Sequence, residues 1–228
     1  MLTGIIGAMV VETDAIKAML TDKKVENHGG IEFVCGMLGK NQVVVATCGI
    51  GKVFAAICAQ TMILKYSPDR IINTGVAGSL SPSVGLLDVA ISTSVVQHDM
   101  DTSPLGDPVG LISGINVVNL PAAQSLIAQV EAAAERVGIR SVRGVIASGD
   151  QFIADGAKKD YIRDTFSAIA CEMEGAAIGQ VCYAAGVDFV VIRAISDNAD
   201  DAAGALDYPT LCVKAAEQSQ KLLMELGK

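Results

Sequence analysis

Asp188-Phe189-Val190-Val191-Ile192-Arg193-Ala194-Ile195 is the most strand-like run in the chain. β-Branched and apolar residues occupy both of its parities, so both faces of the strand are to be buried. That pattern belongs to a sheet with helices on both sides. Upstream of it, strand and helix alternate. A helix is predicted over about Ala122–Val137, with Pro121 near its first turn. A strand follows over Ser141–Ala147, then a short helix around Lys158–Arg163, a strand at Ala168–Cys171 and a helix at Gly175–Ala185. Downstream, an amphipathic helix spans about Leu211–Leu226. In the amino-terminal half, Gly4–Met9 reads as a buried strand and Glu12–Leu20 as a helix. Ile31–Met37 and Gln42–Thr47 form a hairpin turned by Gly39-Lys40-Asn41. A helix over Val53–Tyr66 follows Gly49-Ile50-Gly51, and Arg70–Thr74 and Asp88–Ser94 are further strands. No repeat, low-complexity tract or linker divides the chain. The expectation is one α/β domain over residues 1–228, a central mixed sheet flanked by helices.

Composition narrows the function classes. Of 228 residues 51% are hydrophobic and 18% charged, which excludes intrinsic disorder. The mean hydropathy of +0.45 raises the membrane question. The longest uncharged stretch, Pro108–Val130, carries Asn116, Asn119, Pro121, Gln124 and Gln129, too polar for a span of ~20 apolar residues. The net charge of −8 and absence of tryptophan argue against nucleic acid and anionic membranes as partners. The apolar excess then points to a doubly buried sheet, an oligomer interface, or both. Six cysteines without a C-x-x-C pattern read as reduced core residues of a cytoplasmic protein. Glu12 and Asp14 interrupt any secretory apolar core near the amino terminus.

In open α/β sheets ligands bind beyond the carboxyl ends of strands. Here those ends carry Glu12, Gly49-Ile50-Gly51-Lys52, Gly75-Val76-Ala77-Gly78, Ser148-Gly149-Asp150, Glu172-Met173-Glu174-Gly175 and Ser196-Asp197. Gly51-Lys52 fails the P-loop pattern, because Ala46 and Val53 stand where glycine and Ser/Thr are needed. The first strand lacks the dinucleotide glycine spacing. The carboxylates say more. One can activate water, a second can protonate a leaving group, and a third can accept two hydroxyls of a sugar diol. The plainer reading of each is a helix-start carboxylate favoured by the macrodipole, and spacing alone does not assign the roles.

Six segments, taken in order, carry a resemblance: GIIGAMVVE (4–12), CGIGKV (48–53), IINTGVAGSL (71–80), SGDQFI (148–153), EMEGAAI (172–178) and FVVIRAISDNAD (189–200). Together they resemble the nucleoside phosphorylase/hydrolase superfamily, and within it the nucleosidases acting on 5′-methylthioadenosine and S-adenosylhomocysteine. The resemblance implies a homodimer that cleaves the N9–C1′ bond to adenine and a 5-thioribose, with a place in methionine salvage and with no cofactor or metal. It further implies that Glu12 positions and activates water, that Asp197 protonates adenine N7, and that Ser196 orients Asp197. Arg193 would help hold Glu12 and the water, and Glu174, beside Met173, would bind the ribose diol. Phe152 would stack on adenine, Ile153 would read its edge, and Met9, Ile50 and Tyr208 would line the thioalkyl end.

Two positions depart from the family pattern. Val76 stands where a serine is common, so a hydroxyl near the sugar or water is lost. Gln151 occupies a place often held by a small residue. The loop Gln97–Pro108 would contribute to the dimer interface and close the neighbour's pocket. A divalent metal on Asp99, Asp101 and Asp107 is a weaker alternative, lacking EF-hand spacing, and His98 reads as a hydrogen-bonded loop or interface residue. Three rival readings remain open. A phosphorylase needs cationic donors for phosphate, yet no arginine precedes Arg70 and Glu12 would repel the anion. A nucleosidase for futalosine-type or 5′-deoxyadenosine substrates would differ in pocket shape. A non-catalytic nucleoside binder would have no need of Glu12, Glu174, Arg193 and Asp197 together.

Overall fold

The computed structural model describes residues 1–199 and 208–227. Of Tyr208 only its place at the start of the last helix is described, so its expected contact with the thioalkyl end lies outside the described residues. The elements run β1 (Leu2–Gly7), α1 (Val10–Met19), β2 (Thr21–His28), β3 (Ile31–Leu38), β4 (Asn41–Thr47), α2 (Lys52–Tyr66), β5 (Arg70–Ser79), β6 (Val89–Gln97), β7 (Leu120–Pro121), α3 (Gln124–Arg136), β8 (Ser141–Ser148), α4 (Gly156–Phe166), β9 (Ala168–Glu172), α5 (Gly175–Ala185), β10 (Asp188–Asp197) and α6 (Tyr208–Leu226).

β5 is the axis of a mixed sheet. It runs parallel to β1 on one side and to β10 on the other. Beyond β1 come β4, parallel, and then β3 and β2, antiparallel. Beyond β10 lies β6, antiparallel, followed by β8 and β9. β9 then pairs with the last residues of β5, Gly78 opposite Cys171 and Ser79 opposite Ala170. Strands β5, β10, β6, β8 and β9 therefore close on themselves, while β1, β4, β3 and β2 extend as an open wing.

Nearly every residue of β5 and of β10 is buried, which demands cover on both faces. α6 packs against both α1 and α3, and α2 packs against α5. The main core joins Ile5, Phe33, Val44, Ile71, Ile91 and Ile192. Cys58 and Cys182 lie in it, and burial pushes their thiols up to about 12, so they remain inert, protonated side chains at neutral pH.

The α/β expectation holds, with two differences. Residues 21–28 form an edge strand that the sequence does not announce: Thr-Asp-Lys-Lys-Val-Glu-Asn-His has one apolar residue and is mostly exposed. Its pairing with β3 supplies what its composition does not. β5, expected to stop at Thr74, continues through Gly75–Ser79 and is buried there.

Candidate active site

The first strand delivers Glu12. After Gly7 the chain turns into α1, where Met9 is the N-cap and Glu12 the third helical residue. Glu12 Oε2 accepts the amides of Ala8 (2.7 Å) and Met9 (2.9 Å), and Oε1 accepts that of Val76 (3.2 Å). The helix-start role is thus real, but the carboxyl is also buried and faces a cavity. Burial raises its pKa, against the opposing pull of the Arg193 charge and the three amides.

β10 delivers Asp197 by way of a bulge. Ile195 pairs with Ala77 and Asp197 with Gly78, leaving Ser196 as the extra residue between them. Neighbours on a regular strand point to opposite faces; the bulge lets Ser196 and Asp197 line the same cavity. Ser196 Oγ donates to Asp197 Oδ2 at 2.9 Å, and the Ala199 amide donates to Oδ1 at 2.8 Å. Gly78 faces this carboxyl so closely that a Cβ would lie 2.7 Å from Oδ1.

β9 and α5 supply two further carboxylates. Glu174 is the N-cap of α5, and its Oε1 accepts the Gly51 amide at 2.8 Å. Burial first, and the neighbouring Glu172 second, push its carboxyl up to about 7. Glu172, at the end of β9, accepts from Arg193 Nη2, from Ser148 Oγ, and from the amides of Glu174 (3.1 Å) and Gly175 (2.7 Å). Arg193 is 1% exposed. Its Nη2 also donates to Asn73 Oδ1 at 2.7 Å and stands 3.6 Å from Glu174 Oε2. Burial alone would lower the guanidinium pKa; Glu172, Glu174 and Glu12 together hold it above its ordinary value.

One cavity is lined by Met9, Glu12, Ile50, Val76, Phe152, Ile153, Met173, Glu174, Ser196 and Asp197. Arg193 lies behind the lining and reaches it through Glu172 and Glu174. Phe152 and Ile50 are exposed at the mouth, 53% and 55%, whereas Ile153 is buried. Gln151 lines the same cavity and is exposed. Glu172 also faces it, and it is the residue that sequence reasoning missed. Its signal was present, a second carboxylate two positions before Glu174.

The acidic loop after β6 does not converge on a metal. Asp99 Oδ1 is held by Lys52 Nζ (2.6 Å) and Oδ2 by the Asp150 amide (2.9 Å), while Asp101 accepts the Ser103 amide and Asp107 the Thr102 hydroxyl. Among the described residues no group of three or more His, Cys, Asp or Glu could hold an ion. His98 lies in the loop after β6, buried against Gly149, and among the described residues its Nε2 has no hydrogen-bond partner.

The arrangement can protonate a leaving group at one wall and direct water from another. Residues 3–227 match the phosphorylase superfamily model. The chain belongs to the phosphorylase superfamily. Within that superfamily it is 40% identical over 224 residues to a 5′-methylthioadenosine/S-adenosylhomocysteine nucleosidase of Shewanella sp. (strain W3-18-1), covering 98% of this chain and 96% of that protein. Its fold matches such a nucleosidase from Colwellia psychrerythraea, solved in complex with adenine, with a TM-score of 0.95 and 34% identity over 100% of this chain and 94% of that one. It also matches the futalosine hydrolase of Helicobacter pylori, with a TM-score of 0.93 and 34% identity over 99% and 97% of the two chains. Among the described residues no helix is long and apolar enough to cross a membrane.

Proposed function

We propose that this member of the phosphorylase superfamily hydrolyses the N9–C1′ bond of 5′-methylthioadenosine and S-adenosylhomocysteine, giving adenine and the corresponding 5-thioribose. The observation that carries the reading is the shared cavity of Glu12 and Asp197, two carboxyls 185 positions apart in the chain. Asp197, oriented by Ser196, gives its proton to adenine N7 as the N9–C1′ bond breaks and its electron pair passes to N9. Glu12 takes a proton from water as the water oxygen bonds to C1′, with Arg193 steadying the charge nearby. Cationic character at the sugar is favoured by the surrounding carboxylates. Glu174 accepts the ribose hydroxyls beside Met173. Phe152 stacks on adenine and Ile153 reads its edge. Met9 and Ile50 give a neutral thioalkyl group an apolar wall, and Val76 lies beside Glu12, near the sugar and the water.

No cofactor or metal enters this chemistry, and neither nucleic acid nor a membrane is a partner in it. The enzyme works in the cytoplasm, in methionine salvage, as a homodimer. Support for the dimer comes from α2, where Val53, Ile57 and Leu64 form one exposed apolar stripe at helical spacing.

The likeness to a futalosine hydrolase favours a second substrate for the same chemistry. Adenine release from a panel of 5′-substituted adenosines and futalosine, with and without phosphate, separates the readings. Methylthioadenosine and S-adenosylhomocysteine are expected to be cleaved at equal rates with or without phosphate. Strict dependence on phosphate would overturn the hydrolase reading, and cleavage of futalosine alone would move the substrate.

A further inference from the structure

Three carboxyls, Glu12 of α1, Glu172 of β9 and Glu174 of α5, surround the buried guanidinium of Arg193 on β10. They share it unequally. Arg193 Nη2 bonds directly to Glu172 but stands 3.6 Å from Glu174. Every hydrogen bond that Glu172 makes, it makes as an acceptor. The donors are the guanidinium, the amides of Glu174 and Gly175 at the start of α5, and the Ser148 hydroxyl. That hydroxyl is itself committed, since its oxygen accepts the Ala176 amide at 2.7 Å. Glu172 therefore joins β8, β9, α5 and β10 at one point, beneath the cavity that it also lines. The Glu174 carboxyl, by contrast, accepts a single amide among the described residues, that of Gly51.

We infer that Glu172 is a positioning residue: it occupies Arg193 and the first amides of α5, so that the Glu174 carboxyl is left available to a ligand's diol. This rests on the sugar-binding role proposed for Glu174. Drawn into a direct bond with Arg193, the Glu174 carboxyl would be turned toward the guanidinium and away from the cavity where a diol would lie. With Glu172 holding Arg193, Glu174 keeps its place on the cavity wall. Burial first, and the like charge of Glu172 second, push the Glu174 carboxyl up to about 7 against the pull of Arg193. The charged or titratable groups around it are Glu172, Arg193 and Glu12, with the Cys48 thiol nearby.

The test is Glu172→Gln in the full-length chain, read two ways. The first is titration of the Glu174 carboxyl by carbon-13 NMR, which needs no turnover. Removing a like charge and freeing Arg193 should move the Glu174 midpoint to lower pH. A midpoint unchanged from wild type overturns the inference, even if the chain cleaves no nucleoside. The second is the kinetics with methylthioadenosine: KM should rise about tenfold, as for loss of a charged hydrogen bond, and the acid limb of kcat/KM should shift with the carboxyl. A loss of packing alone would lower activity without moving that limb. Should Glu172→Gln fail to fold, Glu172→Asp keeps the charge but shortens the reach. The loosened Arg193 is then drawn to Glu174, so KM should rise and the Glu174 midpoint should fall, and a wild-type value of both in Glu172→Asp also overturns the inference. Wild-type protein that releases no adenine from the nucleoside panel refutes the proposed function instead, and leaves the NMR arm to judge Glu172.

Discussion

Gly75 stands so near Glu12 that a Cβ on it would lie 2.7 Å from Glu12 Oε1; the same atom would be 3.0 Å from Arg193 Nη1. The bare backbone of β5 is thus what lets the carboxylate and the guanidinium approach one another. Gly75→Ala should displace both and lower kcat/KM by about a hundredfold, the scale on which a misplaced catalytic group acts. Circular dichroism should stay unchanged, because the backbone at Gly75 is ordinary strand and not left-handed. A variant with wild-type kcat/KM would show that this crowding is not needed.

Asp197→Asn removes the proposed proton donor; its amide oxygen can keep the bond from the Ala199 amide, while its NH2 faces Ser196 Oγ, a hydroxyl that can turn to accept. General acid catalysis contributes about 10²–10⁴-fold, so kcat should fall by that factor with the fold intact. Glu12→Gln should lower the rate comparably. Full turnover in either variant, measured as adenine release, removes that residue from the mechanism.

The elevated Glu174 carboxyl carries a stability cost with a definite sign. Its ordinary value is 4.5 and the folded chain holds it near about 7. Between those values the folded state keeps a proton that the unfolded state releases. Stability is therefore greatest below 4.5, falls as pH rises through this window, and has lost the contribution above it. Glu174→Gln removes that dependence. Its Tm should exceed wild type by about 2–4 °C near pH 8, for roughly 1 kcal/mol in a domain of this size, and converge with it near pH 4. The same variant should bind nucleoside more weakly. A Tm difference independent of pH would contradict the account.

The stripe on α2 predicts the assembly. Leu64 is 72% exposed and Val53 69%, an arrangement at odds with an isolated protomer in water. Val53→Glu with Ile57→Glu should convert a dimer to a monomer in sedimentation analysis. If wild type already sediments as a monomer, the stripe has another purpose.

Much of this was legible in the chain, and the gaps have physical causes. The doubly buried run Asp188–Ile195 announced the sheet because both parities were apolar. β2 left no such mark, since a charged, solvent-facing edge strand owes its shape to its neighbour β3 and not to its own side chains. β5 was expected to stop at Thr74, yet it runs on through Gly75–Ser79 by pairing with β10 and β9, and carboxyls and a guanidinium fill the space that side chains at Gly75 and Gly78 would take. Glu12, Glu174 and Asp197 could be singled out by their places after strands. Glu172 was visible as a carboxylate two positions before Glu174, but its part in the site was not, because Ser148 and Arg193 reach it from distant segments. The bulge at Ser196 was equally invisible, being a relation between β10 and β5.

The enclosure of Arg193 reaches beyond the reaction itself. Mobile ions in solution screen charges over a Debye length of about 8 Å at physiological ionic strength, but only where solvent can enter. A guanidinium 1% exposed, ringed by its own acidic neighbours, is closed to sodium and chloride alike. The balance that governs the cluster was struck when the chain folded, and added salt should disturb the Arg193–Glu172 pair far less than an exposed ion pair.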